Sequence, residues 1–267
     1  MVSEHGAPAN LETDAPPILE ARDIVKTYGH VNALQGANFA VYPGEVVALI
    51  GDNGAGKSTL TKVISGVIKP DSGELRFEGR PVEIGTPGAA QKLGIETVYQ
   101  DLALAPDLDG AANVFMGREL VRAGVLGKLG VLDKRAMRER AERAFVDLGV
   151  AVKDASAAVA YLSGGQRQGV AVARAASWAS KVIIMDEPTA ALGVVQTANV
   201  LDVIRRVRDS GLAVVLISHN MPDVLAVADR IEVLRLGRRV ARFRKEEATL
   251  ESLVGAMTGA VIQEEAR

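Results

Sequence analysis

The chain has 267 residues, 48% of them hydrophobic, a net charge of −2 and no cysteine. That length holds one or two domains of roughly 150 residues. The near-neutral charge speaks against a broad basic nucleic-acid surface, and the missing thiols exclude disulfides, thiolate metal sites and thiol catalysis and fit a reducing cytoplasm.

No apolar run approaches the ~20 residues of a membrane-spanning helix. The N-terminus carries Glu4 and Glu12 rather than a basic region followed by an apolar one, so no secretory signal is expected. Residues 1–17 are rich in Ala, Pro and acids without periodicity and are expected to be a flexible tail. Segments 18–24 and 31–41 read as strands. Between them, Tyr28 sits beside Gly29 in Lys26-Thr27-Tyr28-Gly29. It suits either an ordinary core position or a face on which an adenine stacks.

Residues 45–50 form a short apolar run that reads as a buried strand. The next eight residues, Gly51-Asp52-Asn53-Gly54-Ala55-Gly56-Lys57-Ser58, match G-x-x-x-x-G-K-[ST]. Leu60, Val63, Ile64 and Val67 then recur at helical spacing. A strand, a glycine-rich turn and a helix are the setting of a phosphate-binding loop. Its glycines let the backbone approach phosphate oxygens, because no Cβ intervenes. Unpaired N–H groups at the helix start, with the positive end of its dipole, face the anion. Lys57 supplies a point charge for the β- and γ-phosphates, and the Ser58 hydroxyl can ligate Mg²⁺. The expected cradle comprises Gly51, Asn53, Gly54, Ala55, Gly56, Lys57, Ser58 and Thr59.

Short antiparallel strands are expected at 74–77 and 82–84 around Gly79, and a buried strand at 95–99 ends at Gln100. From 101 to about 160 the hydrophobics, among them Val114, Phe115 and Met116, are scattered in what reads as a loop-rich region. Within it Asp133 looks like an N-cap. Met137, Ala141, Ala144, Phe145 and Leu148 follow on one helical face, and Gly149 is the stop. The charges on the remaining face are mixed, as on a solvated helix. The block 101–178 is expected to be a helical subdomain inserted into an α/β core.

Leu162-Ser163-Gly164-Gly165-Gln166 opens a helix to Trp178 and offers a second anion-ready N-terminus. A flexible turn before a capped helix would explain it equally. Residues 182–185 read as a strand ending in Asp186-Glu187-Pro188. Two carboxylates at a buried strand end need a cation or proton donor, and ligands bind at that edge of a parallel sheet. Asp186 suits a Mg²⁺ shell, and Glu187, one residue on, can orient or deprotonate water; the alternative is a polar strand end capping the next helix. A helix at 194–210 and a strand at 212–218 precede His219, at another strand end. A helix at 221–228, a hairpin of 231–236 and 239–243 around Gly237, and a helix at 250–257 complete the expected elements.

The whole constellation resembles the nucleotide-binding subunit of ATP-binding cassette (ABC) transporters, from about residue 18 to residue 259. The most specific element is Leu162-Ser163-Gly164-Gly165-Gln166, because other phosphate-loop ATPases lack it. Tyr28, the phosphate loop, Gln100, Asp186-Glu187 and His219 fall in the family's order.

That resemblance implies an α/β phosphate-loop ATPase core with a mostly parallel sheet, an N-terminal antiparallel β subdomain and the helical insert. One ATPase domain would span 18–260, with 261–267 a tail. It implies ATP and Mg²⁺, with Tyr28 stacking on adenine, Gln100 touching Mg²⁺ or the attacking water, Asp186 binding Mg²⁺, Glu187 as base and His219 holding the γ-phosphate. Ser163, Gly164, Gly165 and Gln166 would serve the ATP bound by the opposite subunit of a head-to-tail homodimer. Gly193 stands where most members have Asp, which bears on the coupling of the two sites.

Asn113-Val114-Phe115-Met116-Gly117-Arg118-Glu119 and Glu187-Pro188-Thr189-Ala190-Ala191-Leu192-Gly193 are similar to bacterial monosaccharide importers of the ribose, xylose and fructose type. The single-cassette form is implied, without a regulatory domain after the cassette. It would be peripheral at the cytoplasmic face of the inner membrane. Its partners would be a separate permease, received near 100–119, and a periplasmic sugar-binding protein. The alternatives are an importer of another solute, such as an amino acid, and a soluble cassette acting on nucleic acid or ribosomes. The near-neutral charge opposes a nucleic-acid partner.

Overall fold

The computed structural model of the chain describes residues 16–150, 152 and 155–260. The expected tails therefore lie outside the described residues, except for Pro16 and Pro17. Two sheets are built. The N-terminal one is antiparallel. Strands β1 (Leu19–Tyr28) and β2 (Val31–Val41) form a hairpin, and β4 (Ser72–Phe77) and β5 (Arg80–Val82) extend it in the order β2-β1-β4-β5.

The second sheet has six strands: β3 (Val46–Ile50), β6 (Ile95–Val98), β7 (Val182–Asp186), β8 (Ala213–Ile217), β9 (Arg230–Arg235) and β10 (Arg238–Arg244). Their order is β10-β9-β3-β8-β7-β6, all parallel except the β9–β10 hairpin. Strands β3 and β8 are buried at every residue. Continuous apolar runs such as Val-Val-Ala-Leu-Ile are what a sheet covered on both faces requires.

One face packs against the antiparallel sheet and α1 (Lys57–Ile64), through Leu34, Phe39, Leu49, Leu60, Ile184 and Val215. The other carries a helical layer of α3 (Gly110–Phe115), α5 (Lys134–Leu148), α6 (Gly164–Trp178) and α7 (Val194–Asp209). Short helices α2 (Pro87–Lys92) and α4 (Val125–Lys128) lie in connections. Helices α8 (Met221–Val227) and α9 (Leu250–Thr258) pack on β9 and β10.

The segment expected to be loop around 110–116 is helical instead. Asp109 Oδ1 accepts from Ala112 N at 2.7 Å and starts α3. The side chain of Asn113, fully buried, then bonds both the N–H and the carbonyl of Ala105. Trp178 at the end of α6 donates to Val114 O at 2.8 Å and meets Phe115 edge-on at 5.5 Å. These tertiary bonds replace the periodic apolar face that so short a helix lacks.

A buried ion cluster fastens β9 and β10 to the turn before β3. Glu232 has no solvent exposure and meets Arg230, Arg239 and Arg242. Arg230 also bonds Glu45 and the carbonyl of Ala40, each at 2.6 Å. Burial alone would push the Glu232 carboxyl up, but the three guanidinium groups outweigh it and hold it below its ordinary range.

Candidate active site

Parallel strands bring their carboxyl ends to one edge, and the topology sorts the candidate residues along it. Leu49 of β3 pairs with Ile217 of β8, Asp186 of β7 pairs with the same Ile217, and Val98 of β6 pairs with Met185. The phosphate loop after β3, His219 after β8, Asp186-Glu187 at the end of β7 and Gln100 after β6 therefore stand side by side. Residues more than a hundred positions apart in sequence share one edge.

The loop has the conformation its glycines permit. Gly51 has φ +151° and Gly56 φ +106°. A Cβ on Gly51 would lie 2.2 Å from Leu234 O, and one on Gly56 2.7 Å from Ala33 O. Both positions exclude a side chain by crowding as well as by backbone angle. The turn between β9 and β10 braces the loop, with Gly237 N donating to Ala55 O at 2.9 Å. Asp52, Asn53, Gly54 and Ser58 remain exposed on the open side, and Thr59 is half-buried. Exposed turn amides ahead of a helix start give an anion its contacts.

Lys57 is buried, and its ammonium donates to Gly51 O at 2.6 Å and Asp52 O at 3.1 Å. Burial pulls its pKa down, against the opposing pull of Glu187, Asp52 and Asp186. The Asp186 carboxyl is pushed up, by burial first and by Glu187 second, with Lys57 and Lys62 opposing. A half-buried acid beside a second acid is an unfavourable arrangement that a bound cation would relieve.

Glu187 adopts φ +51°, rare for a residue with a Cβ. Its N–H is held by Ile217 O at 2.9 Å. Its Oε1 lies 2.8 Å from His219 Nδ1, and since a carboxylate only accepts, the ring nitrogen donates. Glu187 is mostly covered, whereas the His219 ring is 70% exposed and open on its other side.

Mg²⁺ is tested by the donors present. Among the described residues no cluster of three His, Cys, Asp or Glu side chains exists. A Mg²⁺ ion shared with phosphates needs only one or two carboxylates and keeps several waters. The Ser58 hydroxyl in the first turn of α1, the Asp186 carboxylate at the end of β7 and the Gln100 amide after β6 are hard oxygen donors along one edge of the sheet, and that set fits.

The other candidates lie at the periphery. Tyr28 does not join the core. It is 46% exposed at the end of β1, with Lys26 Nζ 5.8 Å from its ring centroid. The hairpin of β1 and β2 leans over the loop, as the approach of Ala33 to Gly56 shows. Gln100 is exposed in the turn after β6.

Ser163 caps α6. Its hydroxyl accepts from Gln166 N at 3.3 Å, and Gln166 Oε1 accepts from Ser163 N at 2.9 Å. Gly164 and Gly165 face α7 and the turn before it, because added Cβ atoms would meet Leu192 at 3.3 Å and Gln196 at 2.9 Å. These four residues belong to the helical layer. Gly193 caps α7 with an ordinary φ of −76°, and an added Cβ would meet only the amide end of Gln196, at 2.7 Å. No backbone constraint demands glycine there.

Two contacts were invisible in the sequence. Thr189 Oγ1 donates to Asp223 Oδ2 at 2.6 Å, with both residues buried. Arg174 of α6 donates to Ala103 O at 2.6 Å and Leu102 O at 2.9 Å, just after Gln100. The polar residue types were legible, but partners 34 and about 70 residues apart were not.

A family model described as ABC transporter matches residues 34–190. Among curated proteins, the chain is 54% identical to the fructose import ATP-binding protein FrcA of Rhizobium meliloti, covering 91% of this chain and 95% of that one. It is 48% identical to the xylose/arabinose import ATP-binding protein XylG of Sulfolobus acidocaldarius, covering 90% and 94%. It is 44% identical to a ribose import ATP-binding protein of Rubrobacter xylanophilus, of which it spans 48%. Among solved structures, a nucleotide-free ATP-binding cassette from an ABC transporter superposes with TM-score 0.75 at 27% identity, covering 90% of this chain and 96% of that one. A dimeric bacterial ABC transporter cassette superposes with TM-score 0.70 at 25% identity, covering 85% and 98%.

Proposed function

The chain belongs to the ABC transporter family of ATP-binding proteins, and on that premise we propose that it is the ATP-hydrolysing subunit of a monosaccharide importer. The observation that carries hydrolysis is the Glu187–His219 pair on the sheet edge that also presents the phosphate loop and Asp186. The solute class rests on the relatives, whose names specify fructose, xylose or arabinose, and ribose.

In this reading the turn amides of 51–56 and the Lys57 ammonium bind the β- and γ-phosphates, and Tyr28 offers its exposed ring to adenine. Glu187 accepts the proton of the attacking water. His219, held at Nδ1 by Glu187, turns Nε2 toward the γ-phosphate. Mg²⁺, when bound, neutralises charge on the phosphate oxygens, and Ser58, Asp186 and Gln100 are the residues that would hold it. Ser163 to Gln166, presented on a separate surface, serve the nucleotide of a second copy arranged head to tail. No helix among the described residues can cross a membrane. In the same reading, which follows the import relatives, transport runs through a separate permease, fed by a periplasmic sugar-binding protein, with this subunit at the cytoplasmic face of the inner membrane.

The test uses Glu187→Gln. Loss of a general base lowers turnover by about 10²–10⁴-fold while ATP stays bound. With MgATP, the variant is expected to co-purify from solubilised host membranes with a multi-span permease. Vesicles made with the wild-type complex should take up labelled fructose, xylose or ribose. Near-normal phosphate release by the variant would remove Glu187 as base. Co-purification with ribosomes, or uptake of an amino acid and no sugar, would overturn the importer assignment and leave the ATPase standing.

A further inference from the structure

We infer that Thr189 and Asp223 are positioning residues that hold Glu187 in its working conformation. The inference deepens the ATPase reading above and rests on it. Glu187 at φ +51° and Ala191 at φ +59° bracket a five-residue turn in which two side-chain-bearing residues occupy left-handed backbone. Such conformations persist only when the surroundings over-determine them. Within the turn the backbone contributes Ala190 N to Glu187 O at 3.1 Å, and Leu192 N to Thr189 O at 3.3 Å. These bonds keep the turn closed, and Glu187 N donating to Ile217 O at 2.9 Å holds its first residue to β8, but none of them fixes the turn to the helix that follows His219.

The Thr189 hydroxyl does. Its 2.6 Å bond ends on Asp223, in the first turn of α8, the helix that begins two residues after His219. The carboxylate is well placed there, near the positive end of the helix. A ring therefore closes: Glu187 to His219 at 2.8 Å, His219 along the chain to Asp223, Asp223 to Thr189 at 2.6 Å, and Thr189 back to Glu187. The turn that carries Glu187 and the helix that follows His219 are tied by this one buried side-chain bond. Thr189 and Asp223 are 8% and 7% exposed, so water does not compete for it.

The test is steady-state phosphate release by the full chain at saturating MgATP. Thr189→Val keeps the shape and removes the donor, so kcat should fall by about 10- to 100-fold, the order expected of a misplaced reacting group. KM for ATP should stay within about twofold, because the phosphate loop is untouched. Thr189→Ser restores the donor and should restore kcat. In a Glu187→Gln background, Thr189→Val should cause no further loss of the residual single-turnover rate, because the residue it positions is already disabled.

Should the lone Asp223 carboxylate unfold Thr189→Val, the double variant Thr189→Val, Asp223→Leu removes both polar groups and keeps the measurement possible. Wild-type kcat in a folded Thr189→Val or double variant would overturn the proposal, and so would an equal fold-loss in the Glu187→Gln background. A wild-type chain that releases no phosphate, even with its membrane partner, would overturn the ATPase reading and this one together. An active wild type with unaffected variants overturns only the positioning role.

Discussion

Asp186 carries a conflict between folding and chemistry that one substitution exposes. Its carboxyl is pushed above the ordinary range by burial and by Glu187. An acid whose pKa is higher in the folded chain binds its proton more tightly there. Stability is therefore lost as pH rises from its unfolded value of 3.8 through the folded one, and the cost persists above it. Asp186→Asn should raise the melting temperature of the nucleotide-free chain at neutral pH, with a gain that vanishes below that window. The same variant should lose Mg²⁺-dependent hydrolysis. Thermal scans across pH with a phosphate-release assay check both halves, and a variant less stable than wild type at pH 7 would show that the Asp186 charge is already compensated. Asp186, Glu187 and Lys57 were legible because their types and spacing are tied to the ends of strong apolar runs. Thr189 was legible as a motif letter only. Its partner Asp223 looks in sequence like any acid in a first helical turn.

At the level of elements, the buried acid of β9 fastens the C-terminal hairpin. Glu232 sits among Arg230, Arg239 and Arg242, and Arg230 reaches on to Glu45 and Ala40. Removing one charge strands the others, so Glu232→Gln should cost about 3–5 kcal/mol, measurable by urea unfolding. The Glu232 carboxyl is held below its usual range. Its contribution is thus full above pH 4.5 and is lost as pH falls through the lower, folded value. The long buried strands and the helices with clean stops, such as α5 ending at Gly149, could be read from periodicity. Helix α3 could not. It has six residues and is held by Asp109, Asn113 and Trp178 through contacts that no local pattern encodes, although Asp109 was a usable cap signal. The ion cluster was equally hidden, since Glu45 and Arg230 lie 185 residues apart and a charged residue in a strand ordinarily faces water.

In the whole molecule, the two parts proposed to face nucleotide lie in different layers. The phosphate loop and the Glu187–His219 pair share a sheet edge, while the capped start of α6 belongs to the helical layer. A head-to-tail pair would supply each nucleotide with both parts. Specific ATPase activity of the isolated chain should accordingly rise with protein concentration, and Glu187→Gln with MgATP should elute near twice its mass. Concentration-independent activity with a monomeric elution profile would remove the shared site.

Arg174 binds the carbonyls of Leu102 and Ala103, and Asn113 bonds both backbone groups of Ala105. The stretch after Gln100 is thereby tied directly to α6. Arg174 stands eleven residues from Ser163 along α6. At the ~1.5 Å rise of a helix this is a lever arm of about 16 Å. A tilt of α6 about Arg174 would carry Ser163 along an arc of that radius.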